Sequence, residues 1–206
     1  MAKGAERLSL RERNKLRTRQ EILSATLEVF NEDGFAGTSI DKIADVGGIS
    51  KGTVYVYFPD GLNDIYREIY ADITERLLKA TKEVRSKTKD PARRIVAMAE
   101  ALLKLSEVPT YGRFYSVLSP ELRPVLTPVL GLASNQFVTF AAADLQEALS
   151  TAATEAECIA MAELIVGSMR EAARIVSEMP DRKEALIEAL QKIVSSVAKD
   201  KLSENH

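Results

Sequence analysis

Two short helical patterns, split by a Gly-Gly pair and stopped by a proline, constrain this chain more than any other feature. From Thr38 to Phe58 the sequence reads TSIDKIADVGGISKGTVYVYF. Thr38 with Asp41 three residues on is a capping-box start, which satisfies N–H groups that a helix leaves unpaired. Ile40, Ile43 and Ala44 then fall on one apolar stripe at i, i+3 and i+4. Gly47-Gly48 ends that helix, because glycine reaches the positive φ of a tight turn. Ser50 caps a second helix that runs through Phe58, and Pro59 forbids its continuation. The spacing predicts a helix-turn-helix.

The second of these helices is poor as a helix. Gly52 costs about 1 kcal/mol relative to alanine, and Thr53, Val54 and Val56 are β-branched. Only Val54 and Phe58, four apart, offer an inward face. Ser50, Lys51, Thr53, Tyr55 and Tyr57 face outward: hydroxyls, one ammonium and two aromatic bodies with polar tips. A helix start with free N–H groups, a glycine permitting close approach and such side chains suits phosphate and base-edge contact. An ordinary surface helix with a tyrosine pair satisfies the same pattern.

Composition removes most other chemistry. Hydrophobic residues make up 46% of the 206 and charged residues 28%, an ordinary globular balance with enough chain for one large domain or two small ones. Cys158 is the lone cysteine and His206 the lone histidine. Ser-His-Asp and Cys-His catalysis, thiolate metal sites and histidine-based zinc sites are therefore excluded, and no catalytic residue, metal or cofactor is expected. No apolar run reaches membrane-spanning length and no signal core follows the charged start, so a soluble cytoplasmic protein with no membrane partner is expected. The net charge of −2 hides an asymmetry. Residues 1–20 hold seven basic residues against Glu6 and Glu12, a net +5, which leaves −7 for the rest. Positive charge thus sits beside the helix-turn-helix, where a polyanion would meet it. The expected divisions are a basic arm over 1–17, a helix-turn-helix domain over 18–62 and a helical domain over 63–206.

Along the chain every pattern is helical. Thr18 with Glu21 predicts the start of a first helix that buries Ile22, Leu23, Leu27, Val29 and Phe30 and ends at Gly34, with Phe35 folding back on Phe30. A long helix follows from about Asn63 to Ser86, and Asp90-Pro91 opens the next as N-cap and first residue. Pro120, Pro124 and Pro128 predict an irregular piece over Ser119–Leu126, with Thr127-Pro128 opening a helix to Leu149. Thr154 and Glu157 box the next helix, and Pro180-Asp181 separates it from the last.

The stretch from Thr38 to Phe58 resembles the DNA-binding signature of the TetR (tetracycline-repressor-like) family, and the likeness extends upstream through Ile22, Ala25, Phe30 and Asp33-Gly34-Phe35. About the first seventy residues match; beyond them only the order and lengths of helices do. The resemblance implies an all-α fold: an N-terminal three-helix DNA-binding domain and a C-terminal antiparallel helical bundle for ligand binding and dimerisation. It implies DNA contacts at Thr38, Ser39, Ser50, Lys51, Gly52, Thr53, Tyr55, Val56 and Tyr57. Two positions depart from the family's pattern: Gly47 replaces the usual alanine, which should loosen the turn, and Gly61 replaces a lysine that commonly grips a phosphate.

In the second half, Met98, Leu102, Tyr111, Phe114, Tyr115, Leu118, Phe137, Phe140, Met161 and Met169 form a cluster that reads either as plain core or as an apolar pocket. Tyr111, Arg113, Tyr115, Asn135 and Gln136 supply its candidate polar groups. The resemblance favours a pocket for a small-molecule effector. A homodimer through the last two helices is expected, because the final helix has two apolar stripes. Leu186, Leu190, Ile193 and Val197 form one, with Ala185, Ala189 and Val194 beside it; Leu190 and Val194 are expected to face the second copy. Small residues on the preceding helix (Ala156, Ala160, Gly167, Ala172) permit close approach. The leading expectation is a homodimeric repressor on a palindromic DNA operator, released by an apolar or amphipathic effector. The alternative is an effector-independent DNA-binding factor, an activator or chromosome-organising protein. An all-α enzyme is a distant third.

Overall fold

The structure is a computed structural model that describes residues 9–108, 111 and 122–199; among them every regular element is a helix. The chain divides into two compact units, Met1–Ile69 and Tyr70–His206.

In the first unit, α1 (Leu10–Gly37) opens at Ser9, whose side chain accepts the N–H of Glu12 at 3.2 Å while the Glu12 carboxylate accepts that of Ser9 at 2.8 Å. The expected start at Thr18 is therefore too late. The same box chemistry recurs at Ser9, and nothing between the two breaks a helix, so residues 10–17 are helical. The helix buries Ile22, Leu23, Ala25, Leu27, Val29 and Phe30. Gly34 (φ 70°) interrupts its line, and Phe30 and Phe35 each place a ring against Tyr66, at 6.2 and 5.6 Å. Thr38 proves to be the C-cap of α1: it is buried, and its hydroxyl donates to the carbonyl of Gly34 at 2.7 Å. With Thr38 committed backwards, Ser39 caps α2 (Ile40–Gly47) by accepting from the Lys42 N–H. Gly48 takes the left-handed conformation at φ 61°, which only glycine adopts without strain, and turns the chain into α3 (Lys51–Tyr57). Ser50 caps α3 through the Thr53 N–H at 3.0 Å. After a third positive-φ glycine, Gly61, α4 (Leu62–Arg85) begins and continues into the second unit. Ile22, Ile43, Val54, Phe58 and Ile65, all fully buried, bring the four helices onto one core.

The second unit holds the rest of α4 with α5 (Pro91–Ser106), α6 (Leu122–Leu149), α7 (Glu155–Glu178) and α8 (Lys183–Lys199). Asp90 caps α5 with Pro91 at the first position, and the Thr154–Glu157 box opens α7. The helix expected from Thr127 starts earlier, at Leu122. The helix runs through both Pro124 and Pro128, and a proline's missing N–H forfeits one backbone bond, not the helix. Ile95, Met98, Leu103, Phe137, Leu145 and Met169 centre the core. Leu190 and Val194 belong to it too, 7% and 1% exposed, so they do not face outward as expected. Ile193 does, at 55%. A helix facing its own core needs a stripe at i and i+4, and 190–194 is that stripe here. One polar cluster lies in this core. Asp144, 2% exposed, pairs with Arg85 and, at 2.7 Å, with Arg94, and the Arg85 guanidinium lies 4.8 Å from the centroid of the Phe140 ring.

Candidate functional site

Helix α3 is held by its inward side chains and left free on the other face. Val54 and Phe58 are fully buried, whereas Tyr55 is 51% and Val56 79% exposed. Ser50, Lys51 and Gly52 are exposed, with Thr53 and Tyr57 half-buried beside them. The hydroxyls of Ser50 and Thr53 lie 2.8 Å apart. Lys51 pairs with Asp41 at 2.5 Å, which ties the start of α3 to the first turn of α2. Hydrogen bonding from Asp41, then its charge, raises the Lys51 ammonium above the ordinary lysine value. Lys42 pairs with Asp33 at 2.8 Å. Ser39 is half-buried at the start of α2; Thr38 sits one residue back with its hydroxyl turned to the backbone.

Arg19 completes the support, and sequence reasoning missed it. Its guanidinium lies 4.5 Å from the centroid of the Phe58 ring, donates to the Tyr57 carbonyl at 3.1 Å, and pairs with the Glu68 carboxylate. It therefore joins the end of α3 to α4 and satisfies a carbonyl that α3 leaves open. The only sequence signal was its place among the basic residues of the N-terminal stretch. Those that precede it, Arg11, Arg13, Lys15 and Arg17, are exposed along the first turns of α1.

In the second unit, Met98, Leu102, Phe137 and Met169 are buried in the core, and Phe140 and Met161 pack partly buried against it. Leu102, Phe137 and Met169 line a cavity of ≈ 10 Å³ with Val166, rimmed by Ser134 and Arg170. That is room for about one water. Tyr111 is half-buried with the Arg76 guanidinium 5.9 Å from its ring centroid. Asn135 and Gln136 are exposed. Phe114, Tyr115, Leu118 and Arg113 lie outside the described residues. Among the described residues no cluster of acidic, cysteine or histidine side chains could hold a metal, and no helix is long and apolar enough to cross a membrane.

Residues 22–60, which span α2 and α3 and the helix that braces them, match the family described as bacterial regulatory proteins, tetR family. The chain is similar to the HTH-type transcriptional regulator LmrA of Bacillus subtilis, 29% identical over 85 residues, covering 41% of this chain and 45% of that protein. The match thus spans less than half the length of this relative. The fold is similar to that of a TetR-family transcriptional regulator from Syntrophomonas wolfei, with a TM-score of 0.74 at 20% identity over 92% of this chain and 99% of that one. It is also similar to the regulator FadR of Bacillus subtilis, solved in complex with stearoyl-CoA, with a TM-score of 0.68 at 16% identity over 87% and 97%. The match to the TetR family of bacterial regulatory proteins thus lies on the capped α2–turn–α3 unit and the end of α1, and the likeness over the rest of the chain is one of fold alone.

Proposed function

We propose that this protein is a homodimeric transcriptional repressor that reads a palindromic DNA operator through α3 and releases it on binding a small apolar or amphipathic effector. The observation that carries the reading is the division of α3: Val54 and Phe58 fully buried, Tyr55 and Val56 held out to solvent. A rigidly anchored helix with exposed aromatic and hydroxyl groups at its N-terminal end is what reading base edges in the major groove requires. Arg11, Arg13, Lys15 and Arg17 on the first turns of α1 supply the positive charge that attracts phosphate.

Dimerisation is supported by apolar side chains that the second unit leaves in water. Ile159 and Leu164 on α7 are 40% and 76% exposed, and Ile193 on α8 is 55% exposed. A two-fold pair would cover them and set two reading heads about one helical turn of DNA apart. The small apolar cavity between α5, α6 and α7, with Arg170 and Ser134 at its rim, supports an effector site that opens from its one-water volume when the ligand enters. The stearoyl-CoA complex of FadR, whose fold is similar, supports an amphipathic compound of this kind. A ligand that prefers the conformer with misplaced reading heads shifts the protein off DNA.

The test is a duplex selected from a random pool by the purified protein, titrated with and without candidate acyl compounds. Effector and operator must weaken one another by the same factor. A compound that binds and leaves operator affinity unchanged contradicts the sensor role and favours the effector-independent reading.

A further inference from the structure

The reading head carries no surplus positive charge. Between Thr38 and Phe58 the charged side chains are Asp41, Lys42, Asp45 and Lys51. Both lysines already hold a carboxylate, Lys42 that of Asp33 and Lys51 that of Asp41. The Lys51–Asp41 pair is in water, its side chains 60% and 64% exposed. Asp41 stands in the first turn of α2, where the helix N-terminus favours a carboxylate independently of Lys51. Asp45, one turn further along, acts on the ammonium only through its charge.

A phosphate and a base edge respond differently to such a pair. A phosphate meeting Lys51 must displace Asp41 and then lie beside its uncompensated negative charge. The guanine edge in the major groove presents N7 and O6, which are neutral acceptors and do not repel a carboxylate. A lysine ammonium has three N–H donors. With one held by Asp41, two remain for those two atoms. Lys51 is the first residue of α3, and the N-terminal residues of a recognition helix are the ones that contact bases.

We propose that Asp41 is a specificity-determining positioning residue that withholds Lys51 from backbone phosphates and directs it to a guanine in each half-site. The inference rests on the DNA-binding reading above. It makes the head itself nearly blind to sequence-independent attraction and leaves that role to the first turns of α1.

The experiment compares the wild-type chain with Asp41→Asn, Asp45→Asn and Lys51→Ala, each checked for native helix content. Two quantities are read: base preference by selection from a random duplex pool, and the salt dependence of affinity for a scrambled duplex. The wild type should select a guanine at one position per half-site, with about tenfold preference. Lys51→Ala should lose that preference. Asp41→Asn should reduce it and bind scrambled DNA more tightly, with a salt slope steeper by about 0.9 per added phosphate contact. Asp45→Asn should leave the guanine preference unchanged and steepen the slope less. An Asp41→Asn protein with wild-type preference and slope, or one indistinguishable from Asp45→Asn, overturns the inference while DNA binding stands. A wild-type chain that binds no duplex at low salt overturns both.

Discussion

The ring of Tyr55 lies against Gly61: a β-carbon at position 61 would stand 3.5 Å from Tyr55 Cε1. Gly61 is also left-handed, at φ 60°. The distance is ordinary contact, so it is the left-handed backbone, which L side chains rarely adopt, that favours glycine where the family resemblance implies a lysine. Gly61→Lys should therefore lower stability by about 1–2 kcal/mol, the cost of a left-handed L-residue, rather than add a phosphate contact. Urea unfolding checks it; an unchanged midpoint contradicts the strain.

Gly47 behaves in the opposite way. It closes α2 in helical conformation, and a β-carbon there would meet Ala25 Cβ at 3.4 Å and Ile49 at 3.5 Å, ordinary contact distances. Gly47→Ala should stabilise the first unit by about 0.5–1 kcal/mol, by restricting the unfolded chain and favouring helix. A raised urea midpoint with unaltered DNA affinity is the expected result, and a lowered midpoint would show that the turn needs the glycine.

Asp144 anchors the charge cluster of the second unit. Asp144→Ala leaves Arg85 and Arg94, only 16% and 18% exposed, without their shared carboxylate. The cost should be about 3–5 kcal/mol, that of breaking one side of a buried pair. Thermal unfolding should show the second unit melting earlier; a melting curve like that of the wild type would place the pair among surface bridges worth little.

The α8 face separates folding from assembly. Leu190→Ala, in the core, should cost about 2–5 kcal/mol of stability. Leu164→Glu with Ile193→Glu, on exposed positions, should leave helix content intact and yield monomers in sedimentation. Dimers that persist in the double variant would move the interface elsewhere.

Much of this was legible in the chain, for local reasons. Ser50 with Thr53, Asp90 with Pro91 and Thr154 with Glu157 announce helix starts within four residues, and Val54 with Phe58 announces the buried side of α3. Adjacent competitors were harder. Thr38 and Ser39 are both good caps, and only the hydrogen bond from the Thr38 hydroxyl to the Gly34 carbonyl decides which one faces forward. Ser9 and Thr18 compete in the same way at the start of α1. Pairs distant in sequence left no trace at all. Arg19 with Glu68, and Arg85 and Arg94 with Asp144, join residues that only the packed helices bring together. The stripes of α8 were visible, but which of them faces the core depends on neighbours that a periodicity does not name.

The central claim is that α3 reads DNA from a two-fold dimer, and one measurement bears on it directly: fluorescence anisotropy of a selected palindromic duplex titrated with wild type and Tyr55→Ala, their helix content matched by circular dichroism. The wild type should bind as two chains per duplex. Tyr55→Ala should lose about 100-fold or more, since a base contact worth about 1–3 kcal/mol disappears twice. Equal affinity of the two proteins for the selected duplex would contradict the account.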